Sequence, residues 1–329
     1  MSTQYNVLLL SGGGINGFFT LGAIQCIYDM HKMSNIKKYI GTSVGSAICY
    51  LLIIGYTPIE IMARIANEKP LEHFKKINIV NILKGHGAFN WNHIDEFLLN
   101  ATLEKCEQPM SFKDIFERYG VKLVCCTYNI TKQTIEYISV DNHPDLLCLS
   151  AIRMSCNVPL LFSRYCYLDN YYIDGGIIDN FSIQYTSTDD NVIGIYLLPS
   201  ERKHQNSDSN VHVNIPSTDS DVNTDDVDIP DGVDTCHETL VDQKIEGVED
   251  NDEYDVQSYL MEIIVTPITY HIDKNITTFL KNQQINHTSS DIIIIPMNRP
   301  GLQITDIDTL QQLNMFSSGY QYTKDHYNR

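Results

Sequence analysis

Apolar residues along the first 67 positions follow two different periods. Asn6 to Ser11 (NVLLLS) is a continuous apolar run that ends at three glycines, the pattern of a strand buried on both faces. From Ile15 to Met30 the apolar positions are Phe18, Leu21, Ile24 and Ile27 or Tyr28, the three-and-four spacing of a helix packed on a sheet. Lys38 to Gly41 reads as a second strand, and Thr42 to Gly45 turns directly into an apolar helix, Ser46 to Ile54, which Gly55 ends. Thr57, Pro58 and Glu60 have the spacing of a capping box that opens a helix over Ile59 to Asn67. Further strands are predicted at Lys122 to Thr127, Thr134 to Val140, Tyr171 to Ile173, Val192 to Leu198 and Asp291 to Ile295. A last helix, capped by Thr305, would carry Ile307, Leu310, Leu313 and Phe316 on one face. Strands alternating with helices predict an α/β fold, a three-layer α/β/α sandwich around a mainly parallel central sheet.

One stretch breaks the pattern. Between Glu201 and Asp255 there are 17 acidic residues against Arg202, Lys203 and Lys244, with few aromatics and no periodicity. It is expected to be a disordered acidic insertion, either a solvated loop or a segment that binds a protein partner. The domain plan is therefore a folded core over 1–200, the insertion over 201–255, and the rest of the core over 256–329. The insertion also explains the charge. The chain of 329 residues carries a formal -18, but without the insertion 24 acids face 20 bases. No basic stripe remains to neutralise phosphates, which excludes a nucleic-acid partner. Hydrophobic residues at 43% and charged ones at 19% exclude a wholly disordered or fibrous chain. The nine cysteines show neither CxxC nor zinc spacing, so buried reduced thiols and no metal are expected. Met1 to Leu10 lacks the basic leader of a secretory signal, and the longest apolar run, Val44 to Ile54, is too short to span a bilayer. The expectation is an intracellular protein with at most peripheral membrane contact.

The candidate chemistry sits in the glycine-rich turns. Gly41-Thr42-Ser43-Val44-Gly45 is a GxSxG between a strand and a helix. Such a turn forces its central residue into a strained conformation and would leave Ser43 Oγ exposed above the sheet edge, beside a helix N-terminus that favours developing negative charge. Gly12-Gly13-Gly14-Ile15-Asn16-Gly17 satisfies GxGxxG, the dinucleotide fingerprint, but that use requires an acid at the end of the second strand, and Lys38 to Gly41 has none. A run of glycines also lets backbone N–H groups converge on one point, as an oxyanion hole requires. That use fits better, because the two turns would lie side by side at one sheet edge, with Gly13 and Gly14 as donors. A serine needs a base. None of the histidines lies in a motif that places it there, whereas Asp174-Gly175-Gly176 puts a carboxylate, exposed in a tight loop, at a strand end.

GGGxxG after the first strand, GxSxG after the second and DGG some 130 residues later together resemble the patatin-like phospholipases. Leu149 to Asn180 (LSAIRMSCNVPLLFSRYCYLDNYYIDGGIIDN) is similar to that family's block leading to Asp-Gly-Gly and an asparagine, and Ser111-Phe112-Lys113-Asp114 with Val121 to Thr127 is similar to its linking helix and next strand. The resemblance covers about residues 5 to 199. It implies a lipid acyl hydrolase with a Ser/Asp dyad, no histidine and no metal or other cofactor. Ser43 would be the nucleophile and Asp174 its base. The oxyanion loop would be Gly12, Gly13 and Gly14, with Gly17, Gly41, Gly45, Gly175 and Gly176 shaping the turns. The implied substrate is a phospholipid or acylglycerol at a membrane or droplet surface, its acyl chain lying in a groove lined from Ser46 to Ile65 and Phe89 to Leu99. Two positions depart from the family pattern, Asn16 where Lys or Arg is usual and Ser182 where proline is common. Two rival readings are a catalytically silent patatin fold that binds lipid or a partner, and an α/β-hydrolase esterase that uses a histidine.

Overall fold

The computed structural model describes residues 4–74, 82, 84, 87–199, 290–297 and 307–328. The acidic stretch and Thr305 lie outside these. The described strands are β1 (Val7–Leu10), β2 (Lys38–Thr42), β3 (Lys122–Asn129), β4 (Thr134–Ser139), β5 (Tyr165–Tyr167), β6 (Asn170–Asp174), β7 (Val192–Pro199) and β8 (Asp291–Met297). The described helices are α1 (Gly17–Asp29), α2 (Val44–Ile53), α3 (Pro58–Glu68), α4 (Asn92–Cys106), α5 (Phe112–Tyr119), α6 (Cys148–Ser155) and α7 (Thr309–Tyr327). All expected strands are present. The short β5 was not anticipated, because three residues are too few for alternation to register.

The strands form one sheet in the order β5-β6-β3-β2-β1-β7-β8, with β4 also paired to β3. β3, β2, β1, β7 and β8 run parallel, whereas β4, β5 and β6 join antiparallel. Successive residues of β1 serve opposite faces: Leu8 and Leu10 join the large core under the helices, Val7 and Leu9 a smaller one closed by Phe181 and Ile183. This two-sided burial is why NVLLLS is continuously apolar. On α1 the expected positions Phe18, Leu21, Ile24 and Ile27 are buried, with Ala23 and Cys26 among others beside them, while Tyr28 is exposed.

β3 brings the candidate residues together. β4 occupies one of its edges from Val124 to Asn129. On the other edge β2 pairs up to Thr42↔Cys126, and β6 takes over at Asp174↔Thr127. The end of β2 and the end of β6 therefore meet at adjacent residues of β3, one residue from Ser43.

The C-terminal helix differs from expectation. Asp308 caps α7 through a reciprocal capping box with Gln311. Leu310 and Leu313 are exposed, and the buried positions are Gln312, Gly319 and Thr323. Close backbone approach decides the face: a Cβ on Gly22 would overlap the Phe316 carbonyl, and one on Gly319 the Phe19 carbonyl. Glycine against glycine lets α1 and α7 cross at backbone distance, which the apolar pattern of α7 does not encode. Gly22→Ala is expected to force the helices apart and cost about 1–3 kcal/mol, read as a lower midpoint in thermal unfolding.

Candidate active site

Ser43 follows β2 and is the N-cap of α2, with φ 53 and ψ −129, a conformation that costs a non-glycine residue of order 1–3 kcal/mol. The flanking glycines make the turn possible. A Cβ on Gly41 would overlap the Ser46 amide, and one on Gly45 would lie 2.7 Å from Ser11 O. The turn is fastened from below: Ser155 Oγ accepts the Ser43 N–H at 2.9 Å and donates to Cys126 O at 2.6 Å, while Ser46 Oγ donates to Ser43 O at 2.6 Å.

Ser43 Oγ donates to Asp174 Oδ2 at 2.6 Å. The other carboxylate oxygen, Oδ1, accepts the Gly176 N–H at 2.7 Å, so the Asp-Gly-Gly turn orients its own acid. Gly175 shapes that turn by accepting from the Ile178 and Asp179 amides. Neither residue is exposed as expected from sequence: Ser43 is 8% and Asp174 4% accessible. This burial has a chemical consequence. It pushes the Asp174 carboxyl from 3.8 up to about 6, against the lowering effect of the Ser43 and Gly176 hydrogen bonds. None of the described histidines is bonded to either residue; His86, His237, His271 and His287 fall outside the described residues.

The glycine loop lies beside the serine, with the Gly12 α-carbon against Ser43 and Gly17 against Val44. Gly12 N–H is engaged, donating to Asn180 O at 3.2 Å. The Asn16 side chain is buried and its Nδ2 has no partner. Ser182, where the family often has proline, stands 3.3 Å from Thr42 Oγ1.

Ser43 also lines a solvent-open cavity of about 1090 Å³, open solvent at its mouth included. Its walls are almost wholly apolar: Ala47, Leu51, Ile61 and Ile65 come from the expected helices, Trp91 and Leu98 from the expected second segment. Phe18 and Leu21 of α1, and Val158, Leu161 and Phe162, were not anticipated.

Sequence reasoning also missed the buried support of Asp174. Asn157 O accepts the Asp174 N–H at 3.0 Å and Asn157 Nδ2 donates to Tyr172 O at 2.7 Å, gripping β6 at two points. Arg153, 5% accessible, donates to Asn157 Oδ1 at 2.7 Å and to Ser163 O at 3.2 Å. Its guanidinium lies 4.6 Å from the Trp91 ring centre and 5.3 Å from that of Phe162. A lone arginine within the apolar run SAIRMSCNVPLLF is the signal that could have exposed it. A second buried acid, Asp179, accepts from Tyr137 Oη at 2.7 Å, and burial holds its carboxyl above the ordinary range.

The sequence matches the profile of the patatin-like phospholipase family over residues 8–186. The chain belongs to this family. A probable lipid hydrolase, 463L of Invertebrate iridescent virus 6, is 34% identical over 185 residues, 54% of this chain and 62% of that protein. The chain thus spans less than two thirds of that relative. An uncharacterised protein, R571 of Acanthamoeba polyphaga mimivirus, is 27% identical over 65% of this chain and 71% of its own length. Among solved structures, VipD from Legionella pneumophila shares the patatin-like fold at a TM-score of 0.50 and 16% identity, over 99% of this chain and 67% of VipD. Among the described residues no single helix is long and apolar enough to cross a membrane.

Proposed function

We propose that the chain is a lipid acyl hydrolase of phospholipase A or lysophospholipase type, working through a Ser43 acyl-enzyme with Asp174 as general base. The observation that carries this reading is the 2.6 Å hydrogen bond from Ser43 Oγ to Asp174 at the wall of an apolar cavity that suits an acyl chain. Asp174 takes the Ser43 proton as Oγ attacks the ester carbonyl, and the Gly13 and Gly14 N–H groups stabilise the oxyanion. As the ester C–O bond breaks, Asp174 returns the proton to the leaving alcohol. Asp174 then deprotonates a water molecule that attacks the acyl-enzyme, and as the acyl C–Oγ bond breaks Asp174 returns that proton to Ser43 Oγ and the fatty acid leaves. The residues named here complete the cycle without a cofactor. The 34% identical probable lipid hydrolase supports the substrate class. An intact dyad disfavours a silent binding module.

The test is fatty-acid release from mixed phospholipid and triacylglycerol vesicles without added metal, paired with mass spectrometry after treatment with an alkyl fluorophosphonate. Release together with a phosphonyl adduct on the Ser43 peptide is expected, and the product profile identifies the ester cleaved. Absence of both would overturn the proposal.

A further inference from the structure

The two-residue turn between β5 and β6 is built from the wrong residues for stability alone. Leu168 and Asp169 both have positive φ, 46 and 59, which suits a tight hairpin turn but is ordinarily filled by Asn-Gly or Asp-Gly. Leucine is disfavoured there by its Cβ, and it is also 72% exposed. Beside it stand Tyr171, 40% exposed, and Ile130, 43% exposed, on the adjacent β3–β4 turn. The two turns are tied together: Ile130 N–H donates to Tyr171 O, and Tyr171 N–H to Thr131 Oγ1, each at 2.9 Å.

The hairpin grows out of the active site. β6 carries Asp174 at its inner end and continues along β3 beyond the end of β2. At the foot of β5 the Tyr165 ring lies 5.6 Å from the Arg153 guanidinium, which also stacks on the cavity residues Trp91 and Phe162. Arg164 lies over the Tyr171 ring at 5.1 Å, whereas Lys132 on the neighbouring turn is ion-paired with Glu136 at 3.2 Å, and the exposed Asp169 carboxylate shares the tip with Leu168. Leu168 with Tyr171 and Arg164 set behind it suits the boundary between acyl chains and headgroups, and the Asp169 carboxylate limits insertion to the one leucine side chain. The chain as a whole carries -18, so long-range attraction to an anionic surface is not available to it.

We propose that the β5–β6 hairpin is a docking element for a zwitterionic lipid surface, inserting Leu168 and bringing the cavity wall and the dyad to the membrane. This rests on the lipid-hydrolase reading but is tested without turnover. The full chain carrying Ser43→Ala is floated with phosphatidylcholine vesicles, with and without Leu168→Asn. Binding is expected to fall at least tenfold in Leu168→Asn, and to change little for the parent between about 0.1 and 0.5 M salt. The melting temperature should stay equal or rise, because asparagine tolerates the left-handed turn. Equal flotation with and without the substitution, or none for the parent, would overturn the proposal. So would a dimer in light scattering that Leu168→Asn dissociates, since the tip would then be a contact between copies. Wild-type turnover of a water-soluble short-chain ester is measured alongside. Its absence together with Leu168-dependent flotation would remove the hydrolase reading and leave the docking element standing.

Discussion

Asp174→Asn is expected to abolish hydrolysis while raising the melting temperature at neutral pH. The loss in kcat/KM should be about 10⁴-fold or more, as for removal of one member of a catalytic unit. The gain in stability comes from the same burial. The folded Asp174 carboxyl titrates at about 6 rather than 3.8, so its charged form is disfavoured in the native state. For an acid with a raised folded value the cost is absent below about 3.8, grows as pH rises to about 6 and is constant above it. The full cost is about 3 kcal/mol, an upper estimate for the gain on substitution. Asparagine removes it while its carbonyl still accepts from Gly176. Thermal unfolding of both proteins from pH 4 to pH 8 checks the sign: the curves should converge near pH 4, diverge as pH rises to about 6 and stay a constant distance apart above it. Wild-type kcat/KM should in turn fall as pH drops below about 6, because a protonated Asp174 cannot accept the Ser43 proton. Activity surviving in Asp174→Asn would remove the acid from the mechanism, and a stability gain equal at all pH values would assign its cause to packing instead.

The parts of this site that the sequence made legible are those where backbone geometry restricts residue type. Ser43 and Asp174 were recognisable because Gly41, Gly45, Gly175 and Gly176 mark turns too tight for a Cβ. The strand pattern was legible because β1, β2 and β7 are buried on both faces. What was not legible depends on contacts between distant segments. The burial of Asp174 accompanies contacts with Asn157, Thr127 and Ser43 from three separate segments, and no local pattern near residue 174 records that neighbourhood. The pairing of β6 with the far half of β3, which sets Asp174 opposite Thr127, is likewise a register that only the folded sheet defines. The face of α7 was misread because a glycine crossing with α1, rather than the leucines at 310 and 313, decides which side is buried.

Arg153→Met is expected to lower kcat about 10²-fold while costing at most a few kcal/mol of stability, because two large contributions to folding oppose each other. Burial depresses the guanidinium to about 10 from 12.5, so at neutral pH the folded protein bears about 3 kcal/mol for holding the charge. For a base with a lowered folded value this cost is present throughout the range below about 10, and methionine abolishes it. Against that, Asn157 Oδ1 and Ser163 O each lose a donor, at about 1–3 kcal/mol apiece, and the contacts with Trp91, Phe162 and Tyr165 lose up to about 2 kcal/mol. The remainder is a destabilisation of a few kcal/mol at most. Catalysis has no such offset. Asn157 grips β6 at Tyr172 and Asp174, and with its own side chain unanchored the base drifts from Ser43; a misplacement near 1 Å is worth about 10² in rate. The pH profile separates positioning from mere loss of stability. The Ser43 hydrogen bond lowers the Asp174 value, so weakening it should move the acid limb of kcat/KM above the wild-type position. Arg153→Lys keeps the charge and one donor but not the planar fork, and should fall between the two. A lower melting temperature with an unmoved acid limb and unchanged kcat would make Arg153 a packing residue and sever it from the chemistry.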